Sequence, residues 1–235
     1  MPNAPSWMLA ALCAATLTCG GGGKLVSVSG DAMPFDNTPS GRIAGATIWA
    51  LENPQMRMTT GADGKFRFDG IRAGSEITLV LEHPDYHLIQ TGTHVVPDTG
   101  IERLTFQAVS HATYSLFAAA LNVTPDANAC QLSTTVTRIG KSLYDSGAHG
   151  EAGATVTISP PVHPDKGPVY FNASVIPQRD LTETSEDGGV VFGNLAPGTY
   201  TLTATKSGVR FRQLKIKCRA GVLVNASPPW GLQAY

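Results

Sequence analysis

The chain has 235 residues, of which 42% are hydrophobic and only 15% are charged, and its formal net charge is -1. This composition excludes an intrinsically disordered chain, and the small net charge argues against a surface built for nucleic acid. The 25 glycines and 16 prolines suit many turns between short strands, so we expect one large or two ordinary domains rich in β-structure.

The N-terminal segment, residues 1–23, has the pattern of an export signal. Residues 7–17 form an apolar run that is too short to span a bilayer and that suits a signal-peptide core. Cys19 and the four glycines after it resemble a bacterial lipoprotein signal, in which Cys19 carries the lipid and the glycines form a tether. An ordinary cleaved export signal and a buried N-terminal element are the alternatives.

Residues 24–110 are predicted to form a first β-sandwich. Short runs rich in apolar residues are separated by turn residues such as Asn53-Pro54 and Asp63-Gly64. An Asp-Gly pair is typical of a hairpin turn, and it offers too few carboxylates for a calcium site. We therefore expect short antiparallel strands that turn back on one another.

Three histidines of this unit, His83, His87 and His94, lie close together in the sequence. Because His83 and His87 flank a bend, their rings could converge on one cation, and a metal site at His83, His87 and His94 is one hypothesis. The alternative is solvated loop histidines or polar histidines with satisfied hydrogen bonds, since the spacing matches no closed zinc pattern. Tyr86, in the same bend, is a candidate ligand contact, and no cofactor is predicted.

Residues 111–126 are predicted to connect the two units through a packed helix over residues 113–122. Tyr114, Phe117 and Leu121 recur at helical spacing and form one apolar stripe. Pro125 follows soon after and prevents the helix from continuing. Residues 127–235 are then predicted to form a second β-sandwich, onto which the apolar C-terminal tail docks.

The cysteines are consistent with export. Cleavage would remove Cys13 and lipidation would consume Cys19, which leaves Cys130 and Cys218 as one pair. An oxidising compartment would join them in a disulfide, and we favour this pairing. The alternative is two buried free thiols in a cytosolic protein.

One phrase of the sequence occurs twice. Residues 60–74 and 184–198 each contain an Asp-Gly turn, a short strand that includes Phe, a polar turn, an aliphatic residue and a small-residue turn closed by Gly. Gly45-Ala46 precedes the first copy and Gly153-Ala154 precedes the second. The repeat predicts two units with the same architecture.

These segments resemble carboxypeptidase regulatory-like domains. The resemblance is carried by residues 45–48, 60–74 and 79–86 of the first unit, and by 153–156, 184–198 and 200–208 of the second. It implies two antiparallel transthyretin-like (prealbumin-like) β-sandwiches in tandem, a mainly β fold with one short helix. Domains of this family serve as structural, carbohydrate-binding or adhesive modules, so the resemblance says more about fold than about function.

A basic run and the C-terminal tail supply the remaining candidate contacts. Strand alternation places Arg210 and Arg212 on one face, where they could meet an anionic glycan or a phospholipid head group. The alternative is ordinary solubilising charge. Trp230 and Tyr235 are aromatic residues of the tail that could also contact a ligand.

Three functional hypotheses follow from these features. The first is a non-enzymatic binding or scaffolding protein of the cell envelope, held by a lipid anchor rather than a transmembrane span, on the outer or inner membrane and facing the periplasm or the cell surface. Its partner would be an envelope protein or a glycan, and not a nucleic acid. The second is a metal-dependent or hydrolytic enzyme that uses the His83–His94 region. The third is an accessory subunit of an envelope complex.

Overall fold

The computed structural model describes residues 23–235, so residues 1–22 of the predicted signal segment, with Cys13 and the lipidation candidate Cys19, lie outside the described residues. The first half of the chain forms short strands: β1 (Leu25–Pro34), β2 (Thr47–Ala50), β3 (Asn53–Thr59), β4 (Lys65–Arg72), β5 (Glu76–Ile77), β6 (Leu79–Glu82), β7 (Ile89–Gln90), β8 (His94–Val95) and β9 (Phe106–Ala108).

A helix and nine further strands follow. The helix is α1 (His111–Ala120). The strands of the second half are β10 (Cys130–Thr137), β11 (Thr155–Ser159), β12 (Val169–Phe171), β13 (Pro177–Gln178), β14 (Gly189–Leu195), β15 (Gly198–Thr205), β16 (Leu214–Cys218), β17 (Leu223–Asn225) and β18 (Leu232–Gln233).

One large sheet runs through both halves of the chain. Its strands lie in the order β13-β12-β14-β10-β17-β7-β6-β2-β3, and β18 pairs with β10. The halves meet where β7 and β17 pair in parallel, with Ile89 opposite Leu223. This pairing joins the two halves through backbone hydrogen bonds. The division into separate domains at residues 110 and 127 stays a prediction.

Two smaller sheets cover the large one. The sheet β4-β1-β9 encloses the first core, whose fully buried side chains include Leu81, Ile89 and Leu104. The sheet β11-β15-β16 encloses the second core, which includes Leu132 and Phe192. The predicted mainly β sandwich class is therefore confirmed. Parallel pairings occur within it, between β1 and β9, β10 and β17, β10 and β18, and β17 and β7.

The Asp-Gly turns are tight turns, but they do not close the expected hairpins. Gly64 and Gly188 both have positive φ, at 65° and 76°, and each N–H bonds to the carbonyl three residues before it. The strand after each turn takes a distant partner, since β4 pairs with β1, and β14 pairs with β10 and β12. Strand pairing across the sandwich therefore overrides the local hairpin preference.

The predicted disulfide is present and joins the two sheets of the second half. Cys130 on β10 and Cys218 on β16 have their Cα atoms 5.7 Å apart, and both side chains are buried. The bond crosses the second core between the large sheet and the sheet β11-β15-β16. Among residues 23–235 no helix is long and apolar enough to cross a membrane.

Candidate functional site

A cleft of about 540 Å³ lies between helix α1 and the large sheet. Its size falls in the range of sites that hold a small ligand. We call it the inter-half cleft, because both halves of the chain and the helix line it. The lining residues used below are Phe35, Tyr114, Phe117, Ser133, Phe171 and Val191, with Asp145, His149 and Asp187 at the polar end.

The floor of the inter-half cleft is the outer face of the large sheet. Side chains alternate along β10, so Leu132 and Val136 enter the second core while Ser133 and Thr135 lie on the opposite face, which lines the cleft. On the neighbouring strand β14, Val191 pairs with Ser133 and lines the cleft. The second half thus uses both faces of this sheet, one for its core and one for the cleft.

Helix α1 forms the roof. The Ser110 hydroxyl accepts a hydrogen bond from the Thr113 N–H at 3.1 Å and so caps the helix. The Phe117 ring lies 5.5 Å from the Phe35 ring and 6.0 Å from the Phe171 ring, both edge-on. Since Phe35 belongs to the first half and Phe171 to the second, Phe117 packs the helix against both.

Two carboxylates and a histidine stand at the polar end of the cleft. The Asp187 Oδ2 atom accepts a hydrogen bond from Gly189 N at 2.9 Å, and burial raises the pKa of this carboxyl group. Asp145 Oδ2 accepts from Ser142 N at 2.7 Å and from Ser142 Oγ at 3.0 Å, which lowers the pKa of Asp145. His149 lies close enough to favour the ionised form of Asp187.

The loop of residues 138–150 carries Asp145 and His149, and Tyr144 fastens it to the first half. The Tyr144 hydroxyl donates to Asp31 Oδ2 at 3.1 Å and is in short contact with Thr105 Oγ1. The Arg103 guanidinium lies 4.7 Å above the Tyr144 ring. Burial raises the pKa of Tyr144 to about 12, so the phenol stays a hydrogen-bond donor at physiological pH.

The three histidines of the metal hypothesis face different neighbours. His83 Nδ1 accepts from Asp85 N at 3.2 Å, and the His87 ring stacks on Tyr114 with centroids 3.9 Å apart. His94 Nε2 is buried and has no hydrogen-bond partner among the described residues. Within residues 23–235 no group of three or more His, Cys, Asp or Glu side chains is placed to hold a metal ion.

Three of the five predicted ligand contacts come together at the C-terminal tail. The guanidinium groups of Arg210 and Arg212 lie 5.5 and 5.6 Å from the Tyr235 ring, and Tyr235 N donates to Arg210 O. Trp230 is 40% exposed in the turn before β18. Tyr86 lies apart from this group, beside the His83 ring at 5.3 Å.

The two lysines that follow on β16 contact the first half instead. Lys215 Nζ lies 2.5 Å from Glu76 Oε1, and Lys217 Nζ lies 2.8 Å from Glu52 Oε1 and 3.2 Å from Glu76 Oε2. Hydrogen bonds from Lys215 and then Lys217 hold the pKa of Glu76 below its usual range. These lysines therefore fasten the halves together, whereas Arg210 and Arg212 lie beside Tyr235.

Sequence reasoning did not identify the residues of the inter-half cleft as a site. The alternation of Ser133 and Thr135 with Leu132 and Val136 shows that one face of β10 is polar. That signal is the same for a face exposed to solvent and for one that lines a cleft. The repeat of residues 184–198 marks Asp187 as a turn residue and gives no sign of a binding role.

No protein-family model matches the chain, and no curated protein matches it. Solved structures that are similar over most of the chain include the Bacillus anthracis TIE protein, at 13% identity over 87% of this chain with a TM-score of 0.30. The chain spans 34% of the length of that protein. Others are GBS52, the minor pilin of Streptococcus agalactiae, and the shaft pilin SpaA from Lactobacillus rhamnosus GG.

GBS52 is 10% identical over 90% of this chain and 95% of its own, with a TM-score of 0.28. The SpaA structure is 10% identical over 90% of this chain and 96% of its own, with a TM-score of 0.25. Similarity at this level carries no argument about the function of this chain.

Proposed function

We propose that the chain is an exported, non-catalytic binding protein of the cell envelope that holds a ligand in the inter-half cleft. The observation that carries this proposal is the cleft itself, with aromatic and aliphatic walls and polar groups gathered at one end. This combination is typical of sites in which apolar area supplies affinity and a few polar groups set orientation. The walls come from separate parts of the chain, so the folded protein holds them together before a ligand binds.

Export is supported by two independent features. Residues 7–17 and Cys19 have the pattern of a lipoprotein signal, and the pair Cys130–Cys218 is oxidised. Disulfides persist in oxidising compartments and are rare in the cytosol. A lipid anchor at Cys19 is part of the proposal, and the intact mass of protein isolated from a membrane fraction tests it.

Binding in the cleft is tested with Nile red, a neutral apolar fluorophore, titrated into the purified protein. We expect saturable fluorescence from the wild type. Ser133→Trp fills the cleft from its floor and Ala118→Trp fills it from its roof, and each should weaken binding about tenfold or more. Val95→Trp is the matched control, because Val95 is 65% exposed and lies outside the cleft lining.

The thermal unfolding of each variant shows whether it folds. Two tryptophans on opposite walls keep the test informative if one of them prevents folding. An absence of saturable binding to the wild type, or equal binding by the folded cleft variants and Val95→Trp, contradicts the proposed function.

A second candidate function is adhesion to an anionic glycan through Arg210, Arg212 and Tyr235. The observation in its favour is that both guanidinium groups lie beside the exposed Tyr235 ring, so that two cationic groups are gathered at one place on the surface where they can bind acidic groups. Retention on immobilised heparin should fall in Arg210→Ala/Arg212→Ala and be unaffected in Arg57→Ala, which changes an exposed arginine of β3. Equal retention of both variants contradicts it.

A further inference from the structure

Asp187 is held in a defined position at the polar end of the inter-half cleft. Its Oδ2 atom accepts a hydrogen bond from Gly189 N, and its own N–H donates to Ser185 Oγ at 3.2 Å. Ser185 Oγ in turn donates to Phe171 O at 2.7 Å, which fastens the turn to β12. The direction of the carboxylate is therefore set by the fold before a ligand binds.

Neither carboxylate of the cleft forms an ion pair with a lysine or arginine of the described residues, although Lys141 and His149 lie close enough to lower the pKa of Asp145. Among residues 23–235, no Lys or Arg nitrogen lies within 4.0 Å of Asp187 or Asp145. The titratable side chains that line the cleft are Asp145, Asp187, His149 and Tyr114. Two carboxylates and one histidine therefore set the charge at this end of the cleft, and a half-buried carboxylate without an ion-pair partner is costly.

An aromatic ring lies directly beside this carboxylate. A Cβ atom built on Gly189 would stand 2.9 Å from the Phe171 ring and closer still to Asp187 Oδ2. The Asp187 carboxylate and the Phe171 ring therefore both lie next to the Cα atom of Gly189. A side chain at position 189 would occupy the space between them and the cleft. A carboxylate next to an aromatic ring is a favourable environment for an organic cation.

We propose that the inter-half cleft selects a small organic cation, in which an ammonium group is joined to an apolar body. The ammonium group donates to the Asp187 carboxylate and contacts the Phe171 ring. The apolar body packs against Phe117 and Val191, which continue the wall away from the charged end. This assignment rests on the proposed binding function and names the ligand class of that cleft.

Three probes of nearly equal shape test the assignment: 4-phenylbutylamine, 4-phenylbutanol and 4-phenylbutyrate, titrated into the full chain by calorimetry near pH 7. For the wild type we expect the amine to bind at least about tenfold more tightly than the alcohol, and the carboxylate to bind most weakly. Asp187→Asn keeps an oxygen that can accept from Gly189 N. It should reduce the affinity for the amine to that for the alcohol, without changing the affinity for the alcohol.

Asp85→Asn is the matched control, because Asp85 is 81% exposed and lies outside the cleft. It should leave all three affinities unchanged. Equal affinity of the wild type for amine and alcohol overturns the assignment, as does an Asp187→Asn variant that weakens both probes equally. If Asp187→Asn does not fold, the order of the three probe affinities in the wild type is sufficient to test the assignment. Saturable Nile red binding without preference for the amine would refute only the ligand class, whereas no binding of any probe would refute the binding function as well.

Discussion

The Tyr144 hydroxyl donates a hydrogen bond to the Asp31 carboxylate at 3.1 Å and thereby joins the second half of the chain to the first. The two residues are 113 positions apart, and the loop of residues 138–150 that carries Tyr144 also lines the polar end of the inter-half cleft. This contact is therefore relevant both to stability and to access to the cleft.

Replacing Tyr144 with Phe should loosen this loop. The change removes the hydroxyl and leaves the Asp31 carboxylate with its longer contact to Arg42 Nε at 3.7 Å. We expect a loss of about 1–2 kcal/mol in the free energy of unfolding. Hydrogen exchange should become faster in residues 138–150.

Tyr200→Phe is the control for this prediction. Tyr200 also donates one hydrogen bond, to Ala196 O at 2.9 Å, but it does so within the second half. The Tyr200→Phe variant should therefore leave hydrogen exchange in residues 138–150 unchanged. A Tyr144→Phe variant whose loop exchanges at the wild-type rate would contradict the assigned role.

The free energy of unfolding should decrease as the pH is lowered, because His94 is buried as a neutral ring. Burial lowers the pKa of His94 from 6.5 to about 4, so the fold favours the neutral ring. The stabilisation is fully present above about pH 6.5 and is lost as the pH falls towards 4, because the unfolded chain takes up the proton first. A shift of this size corresponds to roughly 3 kcal/mol.

Urea unfolding between about pH 7 and pH 4 measures this effect. The loss of stability should be smaller by roughly 3 kcal/mol in His94→Gln, which does not titrate. His163→Gln changes a histidine whose side chain is 75% exposed, and it should behave as the wild type. If the free energy of unfolding fell equally with decreasing pH in the wild type and in His94→Gln, a group other than His94 would be responsible for the loss of stability.

Removal of the disulfide should destabilise the second sandwich. Cys130 and Cys218 are 88 positions apart, and chain entropy for a loop of this length predicts a loss on the order of 4 kcal/mol in Cys130→Ser/Cys218→Ser. Urea unfolding with and without reductant is the measurement. Reductant should lower the midpoint of the wild type and leave the double variant unaffected, and an unchanged wild-type midpoint would count against the prediction.

The repeat places a buried threonine at the same point of both halves. Thr60 Oγ1 accepts from Ala46 N at 3.0 Å and donates to Ile43 O, and Thr184 Oγ1 accepts from Ala154 N at 2.9 Å and donates to Glu151 O. Thr184→Val leaves both backbone groups without this partner. It should reduce the free energy of unfolding by about 1–3 kcal/mol, and Thr60→Val should do the same.

Thr182→Val is the comparison for this pair, since Thr182 is exposed two residues before Thr184. It should change the stability by less than about 0.5 kcal/mol in the same urea experiment. A cost equal to that of Thr184→Val would mean that the loss does not come from the buried hydroxyl.

Several elements were predictable because their causes are local. The strands around Phe66 and Phe192, the helix that carries Tyr114 and the left-handed glycines after Asp63 and Asp187 follow from periodicity and turn chemistry. The helix begins at His111 rather than at residue 113, a small shift that reflects the cap. The disulfide was predictable because two cysteines remained once the N-terminal pair was set aside.

The candidate site was not predictable in this way. Ser133, Phe171 and Asp187 are separated in the chain and meet only because β10, β12 and β14 are neighbours in one sheet. Tyr144 gives no local signal of its partner Asp31. A sequence pattern shows which face of a strand is polar, but it does not show what covers that face.

The sequence by itself determined the class of the protein: short strands with turns between them, two related halves, one helix and one cysteine pair. The tertiary structure decided how the halves combine. The repeat strand β4 lies in a small sheet, whereas its counterpart β14 lies in the large one, and the pairing of β7 with β17 makes that sheet continuous. Local propensities act on a few neighbouring residues, while strand partners are chosen by long-range packing and hydrogen bonding, and the cleft follows from that choice.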